Sequence, residues 1–130
     1  MITKGQVFEH QYRVNEDVYQ GFIDLFGDRN PLHTNESFAR EKGFNSVVMH
    51  GNILNGFLSH FIGECLPQKN VVIQTQEIQY SKPVYLNDIL MLHVQVIDVF
   101  ESVRAVELKY YFENQNKLKV AKGKVQIGQI

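Results

Sequence analysis

The chain has 130 residues, 44% of them hydrophobic and 21% charged, with a formal net charge of -1. These proportions describe a folded globular protein rather than a disordered one, and the length suits one domain, residues 1–130, with a single real core. The even charge balance argues against a nucleic-acid protein, which carries a basic face.

One cysteine, Cys65, leaves no disulfide within the chain and points to a reducing, cytoplasmic setting. In its apolar stretch it reads as a small core residue rather than a nucleophile. The opening MITKGQVFEHQYRV lacks the apolar core of a signal peptide, and no run is long enough to span a bilayer.

In chain order, Gln6–Val14 is strand-like. Asn15 then offers an N-cap and Glu16 and Asp17 first-turn acids to a helix carrying Val18, Phe22, Ile23 and Phe26, which Gly27 ends. The segment Phe26–His33, FGDRNPLH, reads as a turn, because Pro31 disfavours helical backbone at Asn30. Thr34 or Asn35 caps a short helix, ESFAREK, stopped by Gly43. Ile53, Leu54, Phe57, Leu58, Phe61 and Ile62 recur at three and four residues, which predicts a buried helix ended by Pro67.

Beyond Gln68 the period falls to two. VVIQTQEIQY is one strand. Leu90, Leu92, Val94 and Val96 share one face of the next, and Val106, Leu108, Tyr110 and Phe112 one face of a third. A fourth starts at Leu118 and Val120, with a phase slip near Ala121–Gly123 that predicts a bulge. Strands that alternate in this way form an antiparallel sheet with one buried face. The expected fold class is α+β, a curved sheet wrapped on one central helix.

Two places are candidates for chemistry. Asp28 and His33, five residues apart across a turn, can converge on one water as acid and base; on spacing alone, a turn cap and a helix flank are the commoner use of such residues. His50-Gly51 opens the apolar helix, where unpaired N–H groups and the helix dipole can stabilise an oxyanion; a glycine placed there for close packing is the plainer account. None of the five histidines is spaced as a helical ligand pair, and CxxC and HExxH are absent, so no metal site is expected. Phosphate-cradling glycine loops and GxSxG are absent as well.

FGDRNPLH resembles the GDxNPxH signature of the MaoC-like (R)-specific enoyl-CoA hydratases, which have the hot-dog fold. VVMHGNILNGFLS is similar to that family's HG-led central helix, and YSKPVYLNDIL to its strand-turn-strand segment, so the likeness runs from Gly5 to the final strands. The resemblance implies reversible addition of water to a trans-2-enoyl thioester, carried by coenzyme A or acyl carrier protein, without a cofactor. It implies a homodimer joined through sheet edges. By position it implies Asp28 and His33 as the catalytic pair, Gly51 N–H as the oxyanion donor, and Asn30 and Ser59 as supporting or substrate-binding residues.

Departures at Phe26, Asn52 and ECLPQKN bear on the acyl group more than on the reaction. Two other readings compete: a hot-dog thioesterase, whose acid sits on or beside the central helix where this chain has only Glu64, and a module that binds an acyl thioester without chemistry.

Overall fold

The computed structural model describes residues 1–130. Five strands, β1 (Val7–Arg13), β2 (Val71–Tyr80), β3 (Ile89–Phe100), β4 (Ala105–Glu113) and β5 (Lys119–Gln129), form one sheet in the order β1-β3-β4-β5-β2. Every neighbouring pair is antiparallel. Four helices precede β2: α1 (Glu16–Phe26), α2 (Pro31–Thr34), α3 (Glu36–Glu41) and α4 (Asn52–His60). A π-helical turn, Phe61–Cys65, continues α4. The expected α+β fold, a sheet around a central helix, is the one observed, and no helix is long and apolar enough to cross a membrane.

The sheet's period-two pattern makes its inner face. Leu90, Leu92, Val94 and Val96 of β3 are buried beside Val106, Leu108, Tyr110 and Phe112 of β4. Ile53, Leu54 and Leu58 of α4, with Phe61 and Ile62 beyond it, fill the curve and complete one core cluster. The outward side of α4, including Asn52, Gly56, Ser59 and His60, is exposed. The helix is therefore half-buried rather than enclosed, and its α portion stops seven residues before Pro67.

Helix ends follow local chemistry. Asn15 Oδ1 accepts from Val18 N–H at 2.9 Å, and Gly27 closes α1 at φ 73°, the left-handed conformation that glycine tolerates. Asn35, not Thr34, caps α3 by accepting from Phe38 N–H at 3.0 Å. The motif segment departs from the expected plain turn. Asn30 is extended, as a residue before proline should be, but Pro31 then opens the one-turn helix α2. Proline suits that first helical position because no N–H is needed there.

The expected bulge lies one residue earlier than the pattern implied. Phe112 faces Ala121 while Glu113 faces Lys119, so Val120 is the extra residue. From Ala121 onward the phase holds, and Gly123 only looks like a break because it has no side chain. It cannot carry one: a Cβ there would lie 2.0 Å from the Glu77 carbonyl oxygen and 2.7 Å from the Tyr110 hydroxyl.

Because α4 alone fills the curve, truncating its buried face should be costly. Leu58→Ala, at a fully buried position, is expected to lower the unfolding free energy by about 2–5 kcal/mol. Leu118→Ala, at a position 50% exposed, should change it by less than about 0.5 kcal/mol. Urea denaturation followed by circular dichroism measures both; similar losses at the two positions would show that α4 is not the core element described.

Candidate active site

The FGDRNPLH segment is held from several sides. Asn30 Oδ1 accepts from Leu32 N–H at 3.0 Å, and Asp28 Oδ1 accepts from Asn30 N–H at 3.2 Å. Thr34 Oγ1 donates toward the carbonyls of Arg29 and Asn30, and Tyr19 donates its hydroxyl proton to the His33 carbonyl at 2.5 Å. These bonds lock the backbone and leave the two ionisable side chains to face outward from it.

Both side chains line a cleft of about 580 Å³ between the motif, the start of α4 and the segment after β2. His33 Nδ1 lies 2.6 Å from the Val48 carbonyl oxygen. A carbonyl can only accept, so Nδ1 carries a proton and, in the neutral ring, the lone pair is on Nε2. The ring of His33 stacks on that of His50 with centroids 4.0 Å apart and planes 28° apart. His50 Nε2 in turn donates to the Asp28 carbonyl at 2.9 Å, so one imidazole supports both members of the pair.

His50 is only 2% exposed, and its Nδ1 is buried without a partner. A proton on that atom would have nowhere to bond. Burial pushes the imidazole below its ordinary range; the hydrogen bond to Asp28 opposes this, and His33 reinforces it. His50 is thus a neutral strut.

One donor atom from each of Asp28, His33 and His50 lies within 4.8 Å of the others, a grouping that invites a metal reading. The stack argues against it. A metal must sit in the plane of each imidazole it binds, and two nearly parallel rings at 4.0 Å share no such point close by.

The third component is the start of α4. Ile53 and Leu54 N–H donate to the His50 and Gly51 carbonyls at 3.1 and 3.0 Å, whereas the N–H groups of Gly51 and Asn52 meet no acceptor in the chain. Gly51 lines the same cleft as Asp28 and His33. Packing favours glycine too: a Cβ would lie 2.8 Å from Cζ of Tyr80, so that half-exposed ring would have to shift. An unpaired N–H pair at a helix N-terminus, beside an acid and an unprotonated ring nitrogen, suits a reaction that builds negative charge on an oxygen.

Two expected residues stand apart. Asn30 is exposed and does not line the cleft that holds Asp28 and His33; its side chain is occupied as the cap of α2, where it holds the turn. Ser59 is exposed on α4 and lines neither cleft, about 12 Å along the axis from Gly51 at 1.5 Å per residue. Within one chain it does not meet the pair. Asn52 and Phe26 do face cavities: a second, largely apolar cleft of about 860 Å³ between α1 and α4 is lined by both, and it shares Phe22, Asp28 and Asn52 with the first. Tyr80 and Val48 lie inside the family-like segments YSKPVYLNDIL and VVMHGNILNGFLS, but their roles beside Gly51 and His33 come from tertiary packing that residue type does not report.

The MaoC like domain model matches residues 1–117. The chain belongs to the MaoC-like domain family. Over 88 residues it is 33% identical to a 3-hydroxybutyryl-CoA dehydratase of Methylorubrum extorquens, covering 68% of this chain and 56% of that protein. Over 95 residues it is 30% identical to an (R)-specific enoyl-CoA hydratase of Rhodospirillum rubrum, covering 73% and 66%. The matches thus span just over half of one relative and about two thirds of the other. Among solved structures, the unliganded R-hydratase PhaJ1 of Pseudomonas aeruginosa superposes with a TM-score of 0.88 at 26% identity, over 98% of this chain and 82% of that one.

In this MaoC-like domain, acid should weaken the fold through His50. A histidine whose native pKa lies below its unfolded one leaves the native state short of a proton that the unfolded chain accepts. Stability is full above the ordinary range near ~6.5 and falls as pH drops through it. His50→Gln keeps a donor for the Asp28 carbonyl and cannot titrate. Its melting temperature should fall less steeply than the wild type's between about pH 6.5 and 5; equal slopes would mean that His50 ionises freely in the native protein.

Proposed function

We propose that this MaoC-like domain adds water reversibly to a trans-2-enoyl thioester to give the (3R)-3-hydroxyacyl thioester, residues 1–130 acting as one unit. The observation that carries this reading is the convergence of the Asp28 and His33 side chains, with His33 Nδ1 engaged by the Val48 carbonyl, in the cleft that also receives Gly51. The names of the two sequence relatives, a hydroxyacyl-CoA dehydratase and an enoyl-CoA hydratase, support the same class.

In this scheme Asp28 and His33 hold one water. One of them takes a proton as the water oxygen bonds to the β-carbon, and electron density moves through the alkene to the thioester oxygen. The Gly51 N–H, with that of Asn52 next to it, stabilises the resulting enolate; a donor of this type contributes about 3 kcal/mol in comparable sites. The α-carbon then receives a proton from the pair, which restores both residues. The apolar cleft between α1 and α4 accommodates the acyl chain, and Lys82 at the rim of the first cleft is placed toward the coenzyme A or carrier-protein end.

Hydrolysis of the thioester is a poorer fit. The acid it would call on, Glu64, is exposed in the π turn, where Lys69 pairs with it, at the opposite end of the helix from Gly51. A module that only binds thioesters needs neither the free ring nitrogen nor the carboxylate.

A homodimer in a reducing compartment completes the reading. Strand β2 is an edge, exposed along most of its length, and it shows Val72, Ile73 and Tyr80 to solvent. Such an edge needs covering. Sedimentation at micromolar concentration should give twice the 15.1 kDa chain mass; a persistent monomer would remove this part of the proposal.

The reaction is tested with a crotonyl thioester, following both the conjugated double bond and free thiol. Loss of the double bond without thiol is expected, and thiol release would indicate the thioesterase instead. Asp28→Asn retains an acceptor for Asn30 N–H and removes the charge, so it should cost at least about a hundredfold in hydration with little change in melting temperature. His33→Ala should cost as much in rate and also lower the melting temperature, because the Val48 bond and the His50 stack go with it. The double variant should be scarcely slower than either single one, as for residues that act together. Full activity in folded Asp28→Asn would overturn the scheme.

A further inference from the structure

A second group of chemically capable side chains lies outside the cleft. The inward positions of β1 are Phe8, His10 and Tyr12. Phe8 packs edge-on against Phe61 at 5.9 Å and Tyr12 stacks on Phe57 at 4.6 Å, which brings β1 against α4 and the π turn. His10, between these two anchors, meets His60 and Cys65. Its Nδ1 lies 3.7 Å from Cys65 Sγ, and His60 Nδ1 lies 4.0 Å from the same sulfur. The three donor atoms are all within 4.8 Å of one another.

The π turn is what makes this possible. His60 and Cys65 are five residues apart. In an α-helix that separation is about 500° of rotation and leaves two side chains about 140° apart. A π turn closes its hydrogen bonds at five residues and returns them to one face. The spacing rules for helical ligand pairs, which assume an α-helix, pass over such a pair.

We propose that His10, His60 and Cys65 form a binding site for a thiophilic cation of the Zn²⁺ class, with an open fourth position. A tetrahedral zinc with one sulfur and two nitrogens places S and N about 3.5 Å apart, from bond lengths of ~2.3 and ~2.0 Å. The S···N separations of 3.7 and 4.0 Å here need only a small inward movement of the side chains to reach it. The planes of His10 and His60 are inclined at 51°, so their lone pairs can meet at a point, unlike those of the stacked His33 and His50. His60 is exposed, which leaves a side open for water as the fourth ligand.

Tyr12 hydroxyl lies 2.8 Å from His60 Nδ1, which orients that ring toward the group. On binding, the cation takes the place of the Tyr12 hydroxyl at Nδ1, and Cys65 binds as thiolate after giving its proton to solvent. The cation would tie the edge strand β1 to the end of the central helix.

Cobalt is the probe. Co²⁺ added to the chelator-treated full-length protein should bind at one equivalent with a thiolate-to-cobalt charge-transfer band and tetrahedral d–d bands, and Zn²⁺ should displace it. Asp28→Asn should leave this spectrum unchanged. Cys65→Ser should abolish the charge-transfer band, and His10→Gln and His60→Gln should each raise the Co²⁺ dissociation constant at least tenfold. Tyr12→Phe, which removes the hydroxyl that occupies His60 Nδ1, should bind more tightly. A measurement on the unaltered chain guards against variants that misfold: excess Zn²⁺ should slow alkylation of Cys65 by iodoacetamide at least tenfold. Absence of the charge-transfer band at saturating Co²⁺, or Zn²⁺-independent alkylation, would overturn the proposal.

Discussion

The fold rests on one short helix filling the curve of a five-stranded sheet. Leu54 and Leu58 of α4 and Phe61 just beyond it are all but inaccessible against the buried faces of β3 and β4. That apolar contact is non-directional, yet it fixes the helix by shape because protein interiors are closely packed. Once one face of α4 is committed to the core, its N-terminus has to emerge at the margin of the sheet. There the Gly51 and Asn52 N–H groups find no acceptor within the chain. The same packing that stabilises the fold thus leaves unpaired donors at the cleft that Asp28 and His33 line.

Around that terminus, backbone carbonyls do much of the organising. Val48 sets the tautomer of His33, and Asp28 takes the proton of His50 through its own main chain rather than its carboxylate. The side chain of Asp28 stays available in the cleft as a result. His50 lies beneath both as a neutral spacer whose buried, unpartnered Nδ1 discourages a second proton. The Asp28–His33 pair is thereby held in place by a neutral ring.

The far end of the central helix follows a different logic. The π turn widens the helix just where β1 lays His10 and two aromatic rings against it. One consequence is a compact set of nitrogen and sulfur donors at the opposite end of the helix from the cleft. Its position at an edge strand links any occupant to the part of the sheet with fewest hydrogen-bonded neighbours.

Local pattern determined much of this protein. Period-two runs marked the strands and Asn15 and Gly27 bounded α1; Asp28, His33 and Gly51 stood out as candidates by residue type and spacing, and the likeness of FGDRNPLH and the HG-led helix to the MaoC-like family favoured them over turn and packing roles. These features are legible because each depends on neighbours a few positions away. Asn30 is a cap because Pro31 opens a helix where a plain turn was expected, a local outcome that turn chemistry alone left open. Tertiary structure decided the rest. Ser59 fell on the exposed side of a helix whose other side, with Leu58, is buried against the sheet. Which nitrogen of His33 is bare depends on a carbonyl fifteen residues away, and the His10–His60–Cys65 group depends on a strand and a helix end fifty residues apart. No local rule reports a hydrogen bond or a packing contact between distant segments, because those exist only after the chain has closed on itself.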